Sequence, residues 1–309
     1  MKKTLVNEIA VEGYLYEHKL EKKVSKAGVE YIGGTISVAT DDACSNIVMF
    51  YFTYVTPTYS KSGANNPNYR VLSNIIEANN TVMNKGVDGA LKIRMNSKIG
   101  LNEFYDKEDK LVSQMRNTDG FINVINSLNE DATKRNLFKT DMLINGVYRK
   151  EADPEKNIAE HAVIKGAIFD SYTKALLPVS FVIYNAGGID YFEKIKESTP
   201  NPVFTKVWGS IVSTEIVNVT ETEGAFGDKL VEERRTTRKE YVITNALGTP
   251  YDWDSEDTIL ASELKEAMAN RELHLAEIKK RAEEYKNNNA NAATTTTANA
   301  TVAAGDFKF

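Results

Sequence analysis

Apolar and polar positions alternate with period two through much of the first half of the chain. Residues 11–20, 31–40 and 47–55 are rich in β-branched and aromatic side chains, with turn-like stretches at 25–28 and 41–44 between them. The pattern predicts three consecutive antiparallel strands. A polar, Gly- and Pro-punctuated loop follows at 56–70, then a segment at 71–80 in which Val71, Leu72, Ile75 and Ile76 have helical spacing. Further strands are expected at 91–99, on either side of the charged turn 106–109, and at 121–125.

The same order returns later in the chain. Gly13, Gly34 and the aromatic run at 47–55 are matched by Gly146, Gly166 and the run at 177–185; the glycines of each pair lie 21 and 20 residues apart. Segment 91–99 matches 205–213, and 120–126 matches 240–246. We therefore expect a mainly β protein with a duplicated module at 1–139 and 140–250. Each module has about five strands and an insertion between the third and fourth, the order of a tandem OB-fold-like barrel. The second module carries an elongated hairpin from Lys206 to Asn245.

After residue 250 the period becomes helical. Leu260, Leu264, Met268, Leu275, Ile278 and Tyr285 form one stripe, predicting a C-terminal helix within 251–286. Residues 287–309 are low in complexity, nearly uncharged and without an apolar face, so a flexible tail is expected there.

Composition narrows the function classes. The single Cys44 excludes an intramolecular disulfide and a multi-cysteine zinc site, and His18, His161 and His274 show no ligand-type spacing. No apolar run is long enough for a membrane helix, and no signal peptide is read, so the expected setting is the cytoplasm. The P-loop, GxGxxG, HExxH and GxSxG patterns are missing. Asp252, Asp254, Glu256 and Asp257 are read as negative charge ahead of a helix N-terminus, with metal-dependent nuclease chemistry as the weaker alternative. The expectation is a non-enzyme without metal or cofactor.

The net charge of −5 divides into +2 for residues 1–139, −3 for 140–250 and −4 for 251–309, and residues 51–100 hold six cations against two acids. Local charge decides where a polyanion can bind. In the strand at 91–99, Lys92, Arg94 and Lys98 fall on the face opposite Ile93, Met95 and Ile99, a cation ladder that could follow phosphates; the alternative is a solvated face. Lys206 and Trp208 take the matching outward positions of the second module, Trp208 in the slot of Arg94, unless the register is off by one and the indole is core. Tyr59, Lys61, Tyr69 and Arg70 give the 56–70 loop the aromatic and basic mixture of a mobile clamp. Tyr51 alternates with Phe50 and Phe52 and is expected to be the exposed ring. Arg234, Arg235, Arg238 and Lys239 form a basic cluster, although Glu232, Glu233 and Glu240 flank it.

With this strand order, these rings and cations, and this tail, the chain resembles single-stranded-DNA-binding proteins of bacteria and their phages. The resemblance implies a protein that coats or protects single-stranded DNA in replication, recombination or repair. It also implies a tail tip that docks on partner proteins, for which Asp306, Phe307 and Phe309 are the nearest counterparts, although the tip is here only weakly acidic beside Lys308. The tandem form suggests a phage origin. The competing reading is a phage structural or assembly protein whose β modules contact other subunits and whose helix self-associates.

Overall fold

The computed structural model describes residues 5–153, 158–198, 202–223, 226, 230–253 and 259–297; the side chains of 119, 214–221, 230–236 and 287–297 fall outside that description. The first barrel comprises β1 (Asn7–His18), β3 (Glu30–Ala39), β4 (Ile47–Val55), β5 (Lys92–Tyr105) and β6 (Leu111–Val124), with a short edge strand β2 (Glu21–Val24) hydrogen-bonded to β3. Antiparallel pairs β1–β3, β3–β4, β5–β6 and β1–β5 and the parallel pair β4–β6 close these five strands into a ring. Helices α1 (Pro67–Ala78) and α2 (Val82–Gly89) fill the connection between β4 and β5.

The second barrel repeats this wiring with β7 (Asn136–Lys150), β8 (His161–Phe169), β9 (Leu176–Ile183), helix α3 (Ala186–Ser198), β10 (Val203–Thr222) and β11 (Leu230–Ala246). Its ring runs β7–β8–β9–β11–β10–β7, again with one parallel contact, Val182 opposite Val242. Both rings are the five-stranded Greek-key barrel of the OB-fold. Alternation drives their closure: in β8 the inward Ala162, Ile164 and Ile168 are fully buried while Lys165 is exposed.

Several expectations change. The segments read separately at 91–99, 106 onward and 121–125 are two long strands, β5 and β6, joined by the turn at Asp106. β7 begins at Asn136, ahead of the boundary at 139. Helix α1 starts at Pro67, earlier than 71, because the Asn66 side chain accepts the Asn68 N–H as an N-cap and proline suits the first turn.

The barrels share one sheet. β1 pairs antiparallel with β7 from Asn7 opposite Thr140 to Val11 opposite Asn136, so eleven strands run continuously. The buried Asp141 accepts the Val6 N–H at 2.8 Å and the Tyr251 hydroxyl at 2.9 Å. One apolar cluster holds Ile9, Phe50, Phe138 and Phe181 together.

The C-terminal helix α4 (Ala261–Thr297) lies along the β5–β6 hairpin. Arg271 grips Glu103 with two guanidinium nitrogens, and Lys286 reaches Asp109 at the hairpin turn. Its packed face differs from the expected stripe: Leu264, Leu275 and Ile278 turn inward beside Ala267, Arg271 and His274, whereas Leu260, Met268 and Tyr285 are exposed. The Arg271–Glu103 contact sets that rotation. The backbone of α4 runs on to Thr297. Among the described residues no helix is long and apolar enough to cross a membrane.

Candidate nucleic-acid interface

The outer face of β4 is the starting point. Phe50 and Phe52 point into the core, so the two-residue period sends Tyr51 to the other side, where it is half-buried. Tyr54 is 50% exposed and leans on Tyr31, ring centroids 4.5 Å apart. The chain then enters the 56–66 loop, which is knitted to itself: the Tyr59 N–H donates to the Ala64 carbonyl, the Gly63 N–H to the Tyr59 carbonyl, and Asn66 Nδ2 to the Thr56 carbonyl at 3.0 Å. Gly63 permits the turn by taking φ of 65°. These hydrogen bonds fold the loop back on itself, and its residues 56–60 form one wall of a cleft.

At the start of α1, Asn68 reaches across to β6, donating to the Gly120 carbonyl at 2.7 Å and accepting the Ile122 N–H at 3.0 Å. Next to that contact Phe121 stands outward, 56% exposed. Between β4, the loop, α1 and β6 lies an open cleft of about 690 Å³, lined by Tyr51, Tyr54, Tyr59, Asn66, Asn68 and Phe121 among others. Rings on three walls and amides at the base suit flat aromatic ligands.

The expected cations divide into two sets. Lys61, in the loop, and Arg70, on α1, are exposed, and no ion pair among the described residues engages Lys61, Arg70 or Lys92. The ladder on β5 faces outward but is interrupted. Arg94 lies opposite Glu12 of β1 and pairs with it at 2.6 Å, an acid supplied by the neighbouring strand. Lys98 is bound to Asp170 of the second barrel at 2.9 Å. Burial alone would raise the Asp170 carboxyl, but hydrogen bonds from Lys98 and Thr173 hold it below the usual range. Lys98 is a strut between barrels. Tyr69 is likewise engaged: its hydroxyl donates to Glu30, pushing its pKa up to about 12, and its ring packs on the core.

In the second barrel Trp208 is half-buried on the outer face of β10, opposite Lys139, which pairs with Glu8 at 3.0 Å. Lys206 approaches Asp141 at 3.9 Å. Arg238 is held by Glu240 at 3.2 Å and by the Tyr184 hydroxyl at 3.1 Å. Lys239 instead extends over the first barrel, its Nζ 3.8 Å from Met49 Sδ on β4. The backbone register puts Arg234 opposite Asn218 and Arg235 opposite Val217, with their side chains outside the described residues. Asp306, Phe307 and Phe309, and Asp254, Glu256 and Asp257, also lie outside them.

The YorF family model matches residues 6–287. The chain belongs to the YorF family. No curated protein matches it. Among solved structures it is similar to the single-stranded DNA binding protein from Thermus aquaticus, at 9% identity over 84% of this chain and 99% of that one, with a TM-score of 0.45. A deletion mutant of the same Thermus protein gives 9% identity over 82% and 98%, with a TM-score of 0.43.

In this YorF-family chain the fold brings Tyr51 and Tyr59 to one cleft, with Lys61 next along its loop and Arg70 on α1 exposed outside the lining, and Trp208 and Lys206 take no part in it. Sequence reasoning passed over Phe121, Tyr54 as a stacking ring, and Arg116, whose guanidinium lies 5.2 Å from the Tyr51 ring centroid. Phe121 was detectable, since it alternates with the core residue Ile122.

Proposed function

We propose that this chain is a single-stranded-DNA-binding protein and not a catalyst, with bases stacking on Tyr54, Tyr59 and Phe121 while phosphates meet Lys61 and Arg70. The observation that carries the reading is the cleft itself: Tyr51, Tyr54, Tyr59 and Phe121 line it beside the third barrel strand, part of the surface that OB-folds use for oligonucleotides, and the exposed Lys61 and Arg70 of the adjoining loop and helix have no ion pair among the described residues. Stacking on rings tolerates any base and cationic walls follow any backbone, so little sequence preference is expected. Such binding suits coating and protecting single strands during replication, recombination or repair.

The test is a titration with oligothymidine at two salt concentrations beside a duplex of the same length. Tight binding to the single strand, weaker binding to the duplex and a steep loss with salt are expected, about 0.7 in log–log slope for each phosphate neutralised. Affinity no better than for duplex, or indifferent to salt, refutes the reading.

A further inference from the structure

Beyond the cleft, the outer face of β4 leads to the seam between the barrels, where groups from both converge on Met49 and Tyr51. From the first barrel, Arg116 of β6 lies over the Tyr51 ring. From the second, Lys239 of β11 rests on Met49. Met49 and Tyr51 are two residues apart and therefore neighbours on one face of the strand.

Lys239 is held there by a rigid frame. It sits opposite Ser213 in the β10–β11 ladder, and Ser213 donates its hydroxyl to the Ile47 carbonyl at 2.7 Å and its N–H to Asn46 Oδ1 at 2.8 Å. Two residues on, Tyr241 donates to Asn117 Oδ1 at 2.6 Å, while Asn117 Nδ2 donates to the Met49 carbonyl at 2.8 Å. The second barrel is thus bolted to β4 at Asn46 and Ile47 and, through Asn117, at Met49, with a lysine head on its outer face. No carboxylate among the described residues pairs with that lysine. Partial desolvation against the first barrel lowers the pKa of its ammonium while the residue keeps an exposed edge. A partly desolvated cation without a counter-ion is stabilised by an incoming anion.

The geometry points to a phosphate subsite at the seam: a single DNA strand leaving the Tyr54, Tyr59 and Phe121 cleft crosses Tyr51, and its phosphodiester is clamped between Arg116 of one barrel and Lys239 of the other. This rests on the reading of the cleft as a single-strand site. The second barrel then contributes through β11, not through the Trp208 face, and bound DNA straddles both barrels.

The experiment compares Lys239→Gln, Lys239→Arg and Tyr54→Ala on a short oligothymidine of about 4 nucleotides and a long one of about 30. Lys239→Gln should weaken the long oligonucleotide about fivefold at 0.1 M salt, flatten its salt slope by about 0.7 and leave the short one unchanged. Lys239→Arg should bind as the parent does, and Tyr54→Ala should weaken both lengths. If Lys239→Gln matches the parent in affinity and slope at both lengths while Tyr54→Ala is weak, the seam subsite is wrong and the cleft reading stands. Equal weakening at both lengths, with a lowered thermal midpoint, assigns Lys239 to stability and overturns the subsite. A parent protein that binds neither oligonucleotide removes the cleft reading as well.

Discussion

Side chains in the cleft differ in what they can offer a ligand. Tyr54, Tyr59 and Phe121 are exposed rings mounted on strands or on a hydrogen-bonded loop, so a base would stack on them without ordering cost to the protein. Replacing Tyr54 or Phe121 by alanine should therefore cost about 1 to 3 kcal/mol in oligothymidine affinity with thermal stability little changed, as read by parallel titration and melting. An unchanged affinity would remove the ring from the site. Trp208 has the more suggestive sequence, yet it lies beside Lys139 and apart from the cleft. Period two reveals which residues face out; it does not reveal which outward residues meet across strands distant in sequence. Gly34 and Gly166, matched by spacing, do have the same task. At each, a Cβ would lie 1.9 Å from the carbonyl oxygen of Lys19 or Leu143, so the first two strands can meet only with glycine there.

At the scale of the element, the β5–β6 hairpin and α4 stabilise one another. Glu103 is nearly inaccessible, and its charge is tolerable because Arg271 supplies two hydrogen bonds. Burial by itself would raise the Glu103 carboxyl, but the hydrogen bonds and charge of Arg271 outweigh it and hold the pKa below the usual range. A depressed folded pKa favours the ionised form on folding. Its stabilisation is therefore complete above the unfolded carboxylate pKa, about 4.3, and is lost as pH falls through the lower folded value. Arg271→Ala should cost about 3 kcal/mol by stranding a buried carboxylate, and should loosen hydrogen-exchange protection across 264–282. The wild-type helix should show the same loosening below about pH 4. Protection that ignores both changes would show that α4 is held by its apolar contacts alone. The helix was legible from its spacing, but its rotation was not, because a buried ion pair outranks the apolar stripe.

For the whole molecule, the β1–β7 pairing and the shared core make the two barrels one mechanical body. Both tryptophans, Trp208 and Trp253, lie in the second half of the chain, so fluorescence reports there while circular dichroism reports on both barrels. Urea unfolding should give coincident midpoints by the two probes. Separated midpoints would mean that the barrels unfold independently and that the seam is weak.

The order of strands, the duplication, the place of the insertion and the terminal helix are written in local periodicity and turn chemistry, because each depends on residues close along the chain. The partners of Arg94, Lys98 and Tyr69 are not. Glu12, Asp170 and Glu30 are brought up by barrel closure and by the seam, and once a cation has such a neighbour its charge is already spent. Only the tertiary structure decides which outward rings share a wall and which cations stay open to a polyanion, since that depends on contacts between strands far apart in sequence.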